Sequence, residues 1–157
     1  MSSLNEFFAE IVRREVPGVD PVIEGYITDM LVRFMRTDQV FAIRDSAGNR
    51  LSTLREMLPE GDVALNALSF ERERQVHQHI GDFLLFWSGL FPEFIARQID
   101  EPAKQGRESY HLVSLFDMPP HDHEAPLFRK LSEDFEDYSY ALRGIRREMG
   151  GSLGWAS

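Results

Sequence analysis

Glu108-Ser109-Tyr110-His111 is the segment whose residue types and spacing come closest to a reaction centre. A glutamate and a histidine three residues apart share a helix face, and in a bundle such a pair is one half of a carboxylate-bridged di-metal site. The other half requires a second Glu-x-x-His and a glutamate from each of two further helices. Glu73 and His77 are four apart rather than three, and Glu24 and Glu136 stand in two other long helical stretches. If all of these turn inward, the chain is a metal-dependent helical-bundle enzyme. The plainer alternative places Glu108 in the first turn of its helix, where the dipole favours an acid, with His111 at or near the surface.

The remaining histidines form two His-x-His pairs. Residues two apart on a helix point about 200° apart, so His77 and His79 cannot hold one ion together. His77 shares a face with Ile80 and Leu84, so we expect it partly buried with one ring nitrogen hydrogen-bonded, and His79 facing solvent. His121-Asp122-His123-Glu124 follows two prolines and reads as a loop able to wrap a cation, against the plainer alternative of an ordinary flexible polar loop.

Asp82 is the other polar residue in an awkward place, set between Gly81 and Phe83 in the most apolar stretch of the chain. It shares a helix face with Leu85, Phe86 and Gly89. An ionised carboxylate there loses several kcal/mol of hydration unless it is paired, and Arg14, Arg33 and Arg146 on neighbouring elements are the expected partners. No serine sits in a nucleophile turn, and no glycine-rich phosphate or dinucleotide motif is present. The chain has no cysteine, which excludes disulfides, thiolate catalysis and Cys-ligated metals.

Helices must position these residues. Ser3 and Glu6 make a capping box for a first helix carrying Leu4, Phe7, Phe8, Ile11 and Val12, ended by Pro17-Gly18. Asp20-Pro21 caps a second helix, predicted to run to about Thr37. Val40 to Ser52 reads as a small hairpin or an irregular connection around Asp45-Ser46-Ala47-Gly48-Asn49, and Thr53 with Glu56 caps a short helix closed by Pro59. Ser69 caps the longest apolar element, through Phe70 to Leu90, whose second half is apolar almost all round and should be the central helix. Gly81, Ser88 and Gly89 leave it open to close approach by a neighbour. Pro92 opens a short helix. After the polar segment Asp100 to Gly106, a helix is predicted from about Arg107 to Phe116. The last helix, from near Glu124 to Met149, repeats Phe128, Leu131, Phe135, Tyr138, Leu142, Ile145 and Met149 as a heptad seam.

The stretch His79-Ile80-Gly81-Asp82-Phe83-Leu84-Leu85-Phe86-Trp87-Ser88-Gly89-Leu90-Phe91-Pro92-Glu93 resembles a segment of an uncharacterised family of bacterial all-helical proteins. The resemblance implies a helical fold of bacterial type and brings no activity or ligand with it.

Charge and composition narrow the partners. With 26 acidic against 17 basic residues the net charge is -9, which repels phosphate backbones and anionic lipid surfaces. The apolar run to Leu90 is interrupted by Asp82 and falls short of the roughly 20 residues a bilayer span needs. No nucleic acid and no membrane are therefore expected. The first residues show no basic stretch followed by an apolar one, so no leader is expected and the predicted location is cytoplasmic. The expected architecture is one all-α domain over residues 1–149, a multi-helix bundle around the central apolar helix, followed by a flexible tail over 150–157. The leading functional expectation is a non-catalytic module that binds a protein partner or a small apolar ligand, forms a homodimer and uses no cofactor. The di-metal enzyme is the alternative.

Overall fold

The computed structural model describes residues 4–34 and 69–153, with 149–153 described by backbone alone, and every regular element among them is an α-helix. The order is α1 (Leu4–Glu15), α2 (Pro21–Phe34), α3 (Phe70–Leu90), α4 (Pro92–Ala96), α5 (Pro102–Ser114), α6 (Ala125–Glu133) and α7 (Phe135–Leu153). The described residues form an all-α bundle, as their periodicity predicts. The readings for Val40 to Ser52 and for the short helix capped by Thr53 lie outside the described residues.

Local chemistry accounts for several helix ends. Gly18 takes φ +79°, a left-handed conformation open to glycine at little cost, and turns the chain between α1 and α2. The Asp20 carboxylate then accepts the amide of Val22 at 2.8 Å, with Pro21 at the first helical position. The Ser69 hydroxyl accepts the amide of Arg72 at 3.1 Å and starts α3. At the other end of α3 the amide of Phe91 closes on the carbonyl of Trp87 at 2.8 Å, and Pro92 redirects the chain into α4.

The central helix is α3, which packs most extensively against α5 and α7. From His79 to Leu90 every residue but Trp87 is buried. The outer layer follows from pairwise contacts: α1 lies on α7 and α2, α6 lies on α5, and α4 packs against α3. The core joins Phe8 and Val12 of α1, Ile27, Met30 and Leu31 of α2, Ile80, Leu84 and Leu85 of α3, and the seam residues of α6 and α7. Each fully buried side chain of this size removes enough apolar surface from water to be worth about 1.5–3 kcal/mol. Among the described residues no helix is long and apolar enough to cross a membrane.

Two helices depart from the sequence reading. The helix expected from Arg107 begins at Pro102 instead, because Gly106 is a packing residue rather than a breaker: a Cβ there would collide with the Phe135 ring of α7. The single helix expected from Glu124 to Met149 is two, broken at Asp134 (φ -110°, ψ 26°). The amide of Asp134 still donates to the Lys130 carbonyl, and its carboxylate pairs with the Lys130 ammonium at 2.7 Å. Phe128, Leu131, Phe135, Tyr138, Leu142 and Ile145 nevertheless all stay buried. A seam averaging 3.5 residues per turn drifts against the 3.6 of a straight helix, and the non-helical residue Asp134 falls within this seam. The last helix also continues through Gly150-Gly151 to Leu153.

Candidate functional site

Asp82 sits in the middle of α3 and is 2% exposed. The residue before it, Gly81, offers bare backbone against which the Tyr110 ring of α5 lies flat; a Cβ at Gly81 would come within 2.6 Å of two ring carbons. That approach lets the Tyr110 hydroxyl donate to Asp82 Oδ1 at 2.7 Å. Tyr26 of α2 donates to the same oxygen, also at 2.7 Å. Arg33 reaches the other oxygen, Oδ2, at 3.4 Å with a side chain that is 46% exposed. A long contact to a half-solvated guanidinium contributes less than two short, buried hydroxyl bonds.

The cluster extends outward along α3. Gln78 donates to the Tyr26 hydroxyl at 3.2 Å, Arg74 donates to Gln78 at 3.4 Å, and Arg74 also pairs with Glu124 at 3.0 Å while stacking over the Phe128 ring. Burial pushes the Asp82 carboxyl above its ordinary value of 3.8, against the opposing pull of Tyr110, Arg33 and Tyr26. Burial, and then the Asp82 charge, holds both tyrosines well above their ordinary value of 10.0, so each keeps its proton and remains a donor. The arrangement ties α2, α3 and α5 together through one carboxylate. With 2% exposure, that carboxylate meets no substrate unless the bundle opens.

Of the three arginines expected near Asp82, only Arg33 is there. Arg14 pairs with Glu15 and Glu148, and Arg146 pairs with Glu93. The tyrosines escaped the sequence reading, although a tyrosine on an apolar helix face is a signal in itself, since its buried hydroxyl needs a partner.

The histidines divide differently from expectation. His77 is buried, and its Nδ1 lies 3.2 Å from the Ser109 hydroxyl, which also accepts from Gln105. His79 is buried too, at 7% exposure, and its ring lies beside those of Phe34 and Phe83. Its expected solvent-facing position was inferred from angle alone, and α3 has no wet face at that level. Glu108 and His111 are both exposed, and Glu108 lies in the interior of α5 rather than in its first turn. Glu24 pairs with Arg13 at 3.1 Å and Glu136 with Arg107 at 2.8 Å, and Glu73 is half-buried. Among the described residues no three His, Asp or Glu side chains gather as a metal ion requires. In the second His-x-His pair, His121 meets Glu71 at 2.8 Å and His123 is exposed.

A second site emerges only from the assembled bundle. A groove of about 390 Å³ opens where α4, α5 and α7 meet over α3. Its apolar wall is Pro92, Ile95 and Ala96 from α4 with Pro102 and Ala103 from α5, and α7 contributes Glu136, Ser139, Tyr140 and Arg143. Ser88 of α3 lies beneath it, 7% exposed, and its hydroxyl has no hydrogen-bond partner. The Ser139 hydroxyl is satisfied by the carbonyl of Glu136. Arg143 stacks over the Tyr140 ring, 5.7 Å from its centroid, and forms no ion pair among the described residues. From sequence Ser88 reads only as a small residue permitting close helix approach.

Fold and sites together define a class: an all-α bundle with a buried carboxylate clasp and a shallow groove over its central helix. The chain matches no family model, no curated protein and no solved structure.

Proposed function

We propose that the protein is a non-catalytic helical binding module and that the groove over Ser88 is its ligand site. The observation that carries this reading is the groove itself, a preformed hollow of about 390 Å³ with an apolar wall from α4 and α5 and polar groups along α7. The groove's size lies at the lower end of the range for small-molecule sites, and it sets an apolar wall on α4 and α5 against polar side chains on α7, the pairing of apolar contact and orienting polar groups that such sites use.

The reading includes a homodimer working in the cytoplasm. Supporting the dimer, Phe70, Leu115 and Met118 are 69%, 58% and 72% exposed, on segments joined by the Glu71–His121 contact. The cysteine-free, acidic composition suits the location.

A thermal-shift screen of small amphipathic compounds tests the ligand site. Ala96 is exposed on the groove wall, so Ala96→Trp fills the hollow without touching the core. Compounds that raise the melting temperature of the parent should fail to raise that of Ala96→Trp. Equal shifts in both proteins would place binding elsewhere and overturn the reading.

A further inference from the structure

We propose that the groove takes a small amphipathic monocarboxylate, with Arg143 gripping the carboxylate and the α4–α5 wall holding the apolar body. The proposal rests on the groove being the ligand site and adds the chemical class of what it binds.

Charge at the groove's edge carries the argument. Two carboxylates stand there, and both are already matched: Glu136 by Arg107 at 2.8 Å, and Glu93, next to the lining Pro92, by Arg146 at 3.2 Å. A backbone hydrogen bond at Glu93, then Arg146, and least of all Arg143 from a distance, hold the Glu93 carboxyl below its ordinary range. Arg143 alone among these five groups makes no close ion pair among the described residues, so three cations face two carboxylates and this edge of a chain of net charge -9 carries a surplus of one positive charge. A guanidinium offers two parallel N–H donors to one carboxylate. Stacking on Tyr140 restricts that guanidinium, so less freedom is lost when the anion arrives. A dianionic phosphate would carry a surplus negative charge into a site flanked by Glu93 and Glu136, so the single arginine favours a single charge.

The wall sets the rest of the ligand. Pro92 and Pro102 occupy the first helical positions of α4 and α5, where another residue would present a free amide, so this side offers no backbone donor at those positions. Ile95, Ala96 and Ala103 add only hydrocarbon. The hollow of about 390 Å³ has room for about a dozen water molecules at roughly 30 Å³ each, enough for a short alkyl chain or one ring.

Calorimetric titration of the full chain with octanoate, octan-1-ol and octylammonium separates charge from shape. Octanoate should bind about tenfold or more tightly than octan-1-ol, the ratio that a charge-assisted hydrogen bond supplies. Arg143→Gln, on an exposed residue, should remove that advantage and leave octan-1-ol affinity unchanged, whereas Ala96→Trp should abolish binding of both. Octan-1-ol or octylammonium binding as tightly as octanoate, or an Arg143→Gln protein that still prefers octanoate, overturns the anion inference while sensitivity to Ala96→Trp keeps the groove. No binding of any octyl probe to the parent, or binding untouched by Ala96→Trp, overturns the groove and the anion inference together.

Discussion

Changing Asp82 to alanine removes the acceptor for the buried Tyr110 hydroxyl and for the part-buried Tyr26 hydroxyl. Tyr110 is fully buried and donates only to Oδ1, while Tyr26 keeps the bond it accepts from Gln78 and loses the one it donates. A buried donor left unsatisfied costs about 1–3 kcal/mol, so the two together cost about 2–6 kcal/mol. The lost packing of the carboxyl group adds to this and relief of a desolvated charge subtracts, which gives an expected destabilisation of about 3–5 kcal/mol for Asp82→Ala. At a urea slope of about 2 kcal/mol per molar, the unfolding midpoint falls by about 1.5–2.5 M. Adding Tyr110→Phe removes one orphaned hydroxyl and should return about 1–2 kcal/mol. Asp82→Asn isolates the charge. Because burial raises the Asp82 carboxyl above 3.8 in the folded state, its titration contributes stability that is complete below that value and is lost as pH rises through the folded value. The parent's stability relative to Asp82→Asn should therefore fall as pH climbs from about 4. Urea melts followed by circular dichroism across pH measure all of this. An Asp82→Ala midpoint equal to the parent's, or a parent that gains on Asp82→Asn with rising pH, would refute the reasoning.

Gly106→Ala sets helix propensity against packing: propensity alone predicts a gain of about 1 kcal/mol, while the Phe135 ring pressed on Gly106 predicts a net loss of about 1–3 kcal/mol, and the sign of the midpoint shift decides. Ser88→Ala deletes the unpartnered hydroxyl and should stabilise the ligand-free protein by about 1 kcal/mol in the same melts; a loss would mean that the hydroxyl has a partner after all. Protein purified without chelators should carry no stoichiometric transition metal. Iron, manganese or zinc near one per chain by elemental analysis, lost on Glu108→Ala or His111→Ala, would restore the di-metal reading.

What the sequence disclosed follows the range of the forces involved. Ser69, Asp20 and Pro92 act within three residues of themselves, so the starts of α3, α2 and α4 are legible from a short window. The start of α5 is not, because Gly106 reads locally as a breaker and its actual role depends on Phe135 from another helix. The break at Asp134 is hidden by a seam that runs through it without a fault. Burial of Asp82 is legible from its apolar neighbours, but its partners are not: a search by charge finds arginines, whereas the donors are tyrosines that pattern as core. The groove is least legible of all, since it is the space left by small residues and prolines on separate elements.

Gly81 beneath Tyr110, Gly89 beneath Leu142 and Gly106 beneath Phe135 form three lock-and-key couples, each joining a residue with no side chain to a bulky one from another helix. Neither member of a couple can change size alone without a clash or a void, so substitutions should pass through these positions in pairs: a larger residue at 81 with a smaller one at 110, and likewise for 89 with 142 and 106 with 135. Such paired exchange is a fingerprint that survives long after overall similarity has decayed. Distant kin of this chain would be recognisable by three couples at fixed places in the bundle, even where the remaining residues have drifted beyond comparison.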